Sequence, residues 1–151
     1  MRSYLVVIDD SREASAALRY AARRASGTGG GIILLAVVPP AEFVQWGGVQ
    51  AAMEEEAKLR AEAMVLQASG AIVEDAGIEP TILVRQGEPE KAIADLLSER
   101  DDIAALVLGA AAEGGPGPLV SHFSGSVAGS LPCPLVIVPG RLGDEDAERL
   151  S

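Results

Sequence analysis

Five short apolar runs set the strongest constraint on this chain: YLVVI at residues 4–8, IILLAVV at 32–38, PTILVR at 80–85, IAALVLG at 103–109 and PLVIVP at 134–139. Runs of this length, rich in Val, Ile and Leu and without polar alternation, read as strands buried on both faces. Helical patterns fill the gaps between them. Ala14, Ala17, Leu18, Ala21, Ala22 and Ala25 recur at helical spacing after the first run. Ala57, Ala61, Met64, Val65, Ala68 and Ile72 do so from about residue 51, and Ala92, Ile93, Leu96 and Leu97 after the third. Strands alternating with helices call for a parallel sheet, because each crossover must carry the chain back across one face.

Local signals mark the boundaries. Asp10 or Ser11 stands where a helix needs a cap for its free amides, GTGGG at 27–31 stops that helix, and Pro39 and Pro40 end the second strand. Pro89 suits a first helical turn. Residues 41–50 read as a loop whose Phe43 and Trp46 cover the core or a dimer surface.

The 151 residues suffice for one domain with a single core, assigned to residues 1–140, with 141–151 as a polar tail. Only 3% of residues are aromatic, so Ala, Val, Leu and Ile must fill that core. The formal net charge of -10 repels nucleic acid and anionic lipid, so neither is expected as a partner. The lone Cys133 leaves no internal disulfide framework or multi-cysteine zinc site and fits a reducing compartment, the cytoplasm. The first apolar run is too short for a signal peptide, and no segment has the length to span a bilayer.

Ligands of open parallel sheets collect outside the carboxyl ends of the strands. That rim holds Asp9, Asp10, Val37, Val38 and the loop GAAAEGGPGPLVSHFSGSVAG at 109–129, which contains the one histidine and neither lysine nor arginine. Its glycines offer open backbone amides, and a helix beginning between residues 121 and 124 would add its positive end. Neither GxxxxGK[ST] nor a strand-following GxGxxG occurs, and SGSVAGS is not a GxSxG elbow. His122 reads as a loop hydrogen-bonding residue, Cys133 as a small buried hydrophobe, and Glu54, Glu55 and Glu56 as a solvated helix face.

YLVVIDDSREASAALRYA, IILLAVV, VRQGEPEKAI, ALVLGA and LPCPLVIVPG, in this order and spacing, together resemble the universal stress protein family over nearly the whole chain. The resemblance implies an open five-stranded parallel sheet of order 3-2-1-4-5 with helices on both faces, similar to adenine nucleotide alpha hydrolases, and pairing into dimers. Nucleotide-binding members carry G-x2-G-x9-G-[ST] after the fourth strand, and Asp9, Val37 and Gly109 match their positions. Ungapped counting then meets Ala112 and His122, or Ser121 and His122 when counted back from PCP. A gapped alignment instead uses Gly115, Gly125 and Ser126. Glu113 stands where a cation would help a triphosphate.

The resulting reading is a non-enzymatic cytoplasmic stress-response module without catalytic or protein-held metal residues, acting by ligand or protein binding. The alternative is a member that binds ATP or AMP with magnesium and hydrolyses it slowly at most. By the same resemblance Leu135, Val136, Ile137 and Val138 form the sheet's outer strand, where a second copy would pair antiparallel to give a homodimer.

Overall fold

A computed structural model describes residues 1–40 and 47–142, with residues 47–50 as backbone. The chain runs β1 (Ser3–Val7), α1 (Arg12–Thr28), β2 (Gly31–Val38), α2 (Gly47–Ala76), β3 (Thr81–Gln86), α3 (Pro89–Glu99), β4 (Ile103–Ala110), α4 (Pro118–Phe123), a 3-10 turn (Ala128–Ser130) and β5 (Leu135–Pro139). All pairings are parallel and the sheet order is β3-β2-β1-β4-β5, the order the resemblance implies.

Side-chain alternation divides the core into two layers. Val6, Ile32, Leu34, Ala36, Val107 and Val138 point to one face and pack against the alanines of α1 and against Ala61, Val65 and Ile72 of α2. Leu5, Val7, Ile33, Leu35, Leu106 and Leu108 point to the other, against Ile93, Leu96 and Leu97 of α3 and Val120 and Phe123 of α4. The central strands β1, β2 and β4 are buried on both faces, as continuous apolar runs require. The outer strands depart from that expectation: among the described residues β3 and β5 each lack one neighbour, and Ile82 and Ile137 stay 37% and 41% exposed.

Two helices differ from the sequence reading. The long helix α2 begins at Gly47 rather than near residue 51, because a turn made of Gly47, Gly48, Val49 and Gln50 carries too little side-chain pattern to announce itself. The helix expected to start between residues 121 and 124 instead starts at Pro118 and ends at Phe123. Pro118 occupies its first turn, where the missing N–H costs nothing, and Val120 and Phe123, three apart, are the residues it buries. The Ser- and Gly-rich stretch beyond continues only as turns. Phe43, Trp46 and most of the polar tail, residues 143–151, lie outside the described residues.

Candidate functional site

At the carboxyl end of β1 the chain must leave the sheet and enter α1 within a few residues. Ser11 caps the helix, its hydroxyl accepting the Ala14 N–H at 3.3 Å. Asp9 in turn holds the cap: its Oδ1 accepts the Ser11 N–H at 2.9 Å and also the Ser11 hydroxyl. Asp9 is thus a structural part of the turn as well as a rim residue, and Ser11, not Asp10, is the capping residue.

Gly109 lies near the end of β4, opposite Val138 of β5, and the first turn of α1 rests on it. A Cβ there would stand 2.1 Å from the Glu13 carbonyl oxygen and 2.5 Å from its carbon. Packing against the helix backbone therefore requires a glycine at this position, without appeal to a ligand. Gly140 plays a similar part beside it, where a Cβ would meet the Ala110 oxygen at 2.7 Å and Glu13 Cβ at 2.9 Å.

The glycine loop folds back on itself. The Ala111 N–H donates to the Pro116 oxygen at 3.2 Å, and the turn between them uses Gly114 and Gly115 at φ 78° and 91°. That left-handed backbone explains Gly115, whose missing side chain faces open space.

Two cavities meet at Asp9. The smaller, about 90 Å³, is lined by Asp9, Ser11 and Glu13 on one side, Gly109 below, and Pro116 and Pro118 of the loop. The larger, about 410 Å³, runs between α1 and α2 past Asp10, Leu18, Met64 and Gln67. Among the described residues neither has a lysine or arginine in its lining. A separate cavity of about 290 Å³ beyond β2 does, with Lys58 and Arg85. Arg85 is already held by both oxygens of Glu99, at 3.1 and 2.7 Å, and that carboxylate raises the guanidinium pKa.

Asp9 and Gly109 therefore share one cavity. Val37 is half-buried against the α3/α4 layer, and neither it nor Gly115 lines the cavities at Asp9. Gly125 and Ser126 lie beyond the end of α4, where the Gly125 N–H donates to the His122 oxygen at 3.3 Å, and they too are outside both linings. His122 stacks edge-on against Phe123, with centroids 4.8 Å apart. The second acidic residue at the smaller cavity is Glu13, not Glu113. Its place two residues after the cap puts Glu13 in the first turn of α1, at the rim.

Magnesium would meet the carboxylates of Asp9 and Glu13 here, a pair that suits an ion carried by a nucleotide's phosphates. Among the described residues no cluster of three or more His, Cys, Asp or Glu is placed to hold a metal. Cys133 is half-buried, and burial raises its pKa, so it is a packing residue rather than a ready thiolate. Among the described residues no helix is long and apolar enough to cross a membrane.

The fold recurs in solved structures. The universal stress protein UspA of Lactobacillus plantarum superposes with a TM-score of 0.76 at 20% identity, covering 91% of this chain and 97% of that one. The universal stress protein of Archaeoglobus fulgidus in complex with dAMP gives 0.61 at 23% identity, covering 91% and 98%. A universal stress protein family protein of Arabidopsis thaliana with AMP bound gives 0.62 at 13% identity, covering 96% and 95%. No curated protein sequence matches the chain. The model of the Universal stress protein family, however, matches residues 1–139. With that match, the sheet order and the shared fold, this chain belongs to the universal stress protein family.

Proposed function

We propose that this chain is a non-enzymatic stress-response module that acts by binding, as a cytoplasmic homodimer. The observation that carries the reading is the chemistry of the two cavities at Asp9: among the described residues their linings are acidic, uncharged polar and apolar, with no cationic side chain to meet a chain of phosphates. Charge of one sign in a partly enclosed site repels a ligand of the same sign, and the net charge of -10 adds to that field. The reading is supported further by the absence, among the residues lining these cavities, of any histidine or cysteine to act as base or nucleophile.

The dimer would form through β5. Among the described residues its outer edge has no strand beside it, and Ile137 stays exposed. Residues 135–138 offer both the unpaired backbone and the apolar surface for an antiparallel copy.

A second reading is adenine nucleotide binding, with ATP hydrolysis slow at most. It is favoured by the meeting of Asp9, Gly109 and the amino end of α1 at one cavity, since a helix amino terminus attracts anions. Relatives of the same fold hold dAMP and AMP. Pockets for drug-sized ligands occupy about 300–1,000 Å³, so a nucleotide would need the larger cavity or an opening of the loop at Pro116. Acid extraction of freshly purified protein followed by nucleotide chromatography separates the two. An empty extract supports the first reading, and a stoichiometric adenine nucleotide overturns it in favour of the second.

A further inference from the structure

Helix α1 is basic in an acidic chain. It carries four arginines, Arg12, Arg19, Arg23 and Arg24, against one carboxylate, Glu13, while the whole sequence has a net charge of -10. Arg19 and Arg23 stand one turn apart and so share one side of the helix. With Ala22 and Ser26 they line a cavity of about 320 Å³ that α2 completes with Asp75 and Ala76. This cavity lies beside the carboxyl-terminal halves of both helices, whereas the cavities at Asp9 lie at the amino end of α1.

The path of the chain after β5 leads towards it. Gly140 sits over the first turn of α1, where a Cβ would stand 2.9 Å from Glu13 Cβ. Two residues on, the Leu142 oxygen accepts a hydrogen bond from Arg19 Nη2 at 3.0 Å, and the Leu142 side chain packs against the apolar layer that holds the alanines of α1. From Glu13 to Arg19 is about 9 Å along the helix axis, so the chain is running along α1 towards its carboxyl end. Arg23 stands about 6 Å farther, a distance that two extended residues cover at about 3.3 Å each. The residues that follow Leu142 are Gly143, Asp144, Glu145, Asp146, Ala147 and Glu148, outside the described part of the chain.

We propose that this acidic segment, residues 143–148, docks along α1 as a strap, bringing the carboxylates of Asp144, Glu145 and Asp146 to the cavity of Arg19, Arg23 and Ser26. Charge and reach select the occupant. A separate acidic peptide would suit the two arginines equally well, but it must compete with a segment tethered at Leu142, and so short a link gives an effective concentration in the millimolar range. Exposed ion pairs are individually weak, so the strap holds at low ionic strength and is released by salt, which shortens the Debye length to about 3 Å at 1 M. Its release opens Arg19 and Arg23 to anions from outside, and the segment thereby governs when this side of α1 can meet an acidic partner.

A protease that cuts after glutamate tests the docking in the full chain. Glu145 and Glu148 lie in the segment, and exposed Glu113 in the loop after β4 is a reference site within the same molecule. The rate of cutting in the segment relative to Glu113 should be low in dilute buffer and rise about fivefold in salt near 1 M. Arg23→Glu leaves the Arg19 bond to Leu142 in place and should raise the same ratio about fivefold in dilute buffer. Adding Asp144→Arg should reverse most of that rise, which a helix merely weakened by the first change would not show. A ratio indifferent to salt and to Arg23→Glu, or a rise that Asp144→Arg does not reverse, overturns the proposal. So does protection that grows with protein concentration from low micromolar upwards, since the segment would then be docking on a second copy.

Discussion

Replacing Gly109 by alanine tests why β4 carries a glycine one residue before its end. The new Cβ would sit 2.1 Å from the Glu13 oxygen, 2.5 Å from its carbonyl carbon and 2.9 Å from its Cβ. Favourable carbon contacts begin near 3.5 Å, so the first turn of α1 must retreat by about 1 Å or more. It cannot do so alone, because Ala14, Ala16 and Ala17 are buried and the Ser11 cap is tied to Asp9. Overpacking of a core costs about 1–3 kcal/mol, and an obstruction by backbone rather than by a side-chain tip belongs at the upper end, about 3 kcal/mol. In a domain of this size that lowers the melting temperature by roughly 6–12 °C. Urea denaturation monitored by circular dichroism measures it, with Gly115→Ala as the control. There nothing lies within 4 Å and only the positive φ opposes the change, at about 1 kcal/mol. If Gly109→Ala were as stable as wild type, or more stable than Gly115→Ala, close packing on α1 would not be the reason for the glycine.

Ser11→Ala removes the cap of α1 and should lower stability by about 1 kcal/mol in the same denaturation experiment, while Asp10→Ala should change little because Asp10 is not the capping residue. In light scattering at low micromolar concentration the wild type should be a dimer and Ile137→Lys a monomer. A wild-type monomer near 15.5 kDa would remove β5 as the interface. Hydrogen bonding to Arg100 holds the Asp102 carboxyl below its usual range. A carboxyl depressed in the folded state contributes stability above its unfolded value of about 4 and loses it as pH falls through the lower folded value. Asp102→Asn should therefore be less stable than wild type at neutral pH, with the gap closing in acid. A gap that is constant with pH would show that the ion pair is not its source.

The central strands were legible because burial on both faces writes continuous apolar runs, and the alanine spacing of α1 announced a helix packed close to the sheet. The outer strands read the same way in sequence, since their exposure comes from lacking a neighbour, which no local pattern records. The start of α2 was hidden by two glycines. At the site, Asp9 and Gly109 were found from the rim and the family pattern, but their partners were not. That Gly109 touches Glu13, far away in sequence, follows from how α1 crosses β4, and the turn from Ala111 to Pro116 follows from a hydrogen bond within the loop. Spacing alone could place a glycine motif on Gly115, Gly125 and Ser126, but it gave no sign that a helix, α4, occupies the chain between Gly115 and Gly125.

Among the described residues no lysine or arginine lines the two cavities at Asp9, where a row of phosphates would need one. Isothermal titration of adenosine, AMP and magnesium ATP into the wild-type protein at one ionic strength measures this directly. The account predicts that any affinity is greatest for the least charged ligand and falls as phosphates are added, with magnesium ATP weakest or silent. A low-micromolar dissociation constant for magnesium ATP, tighter than for adenosine or AMP, would contradict it.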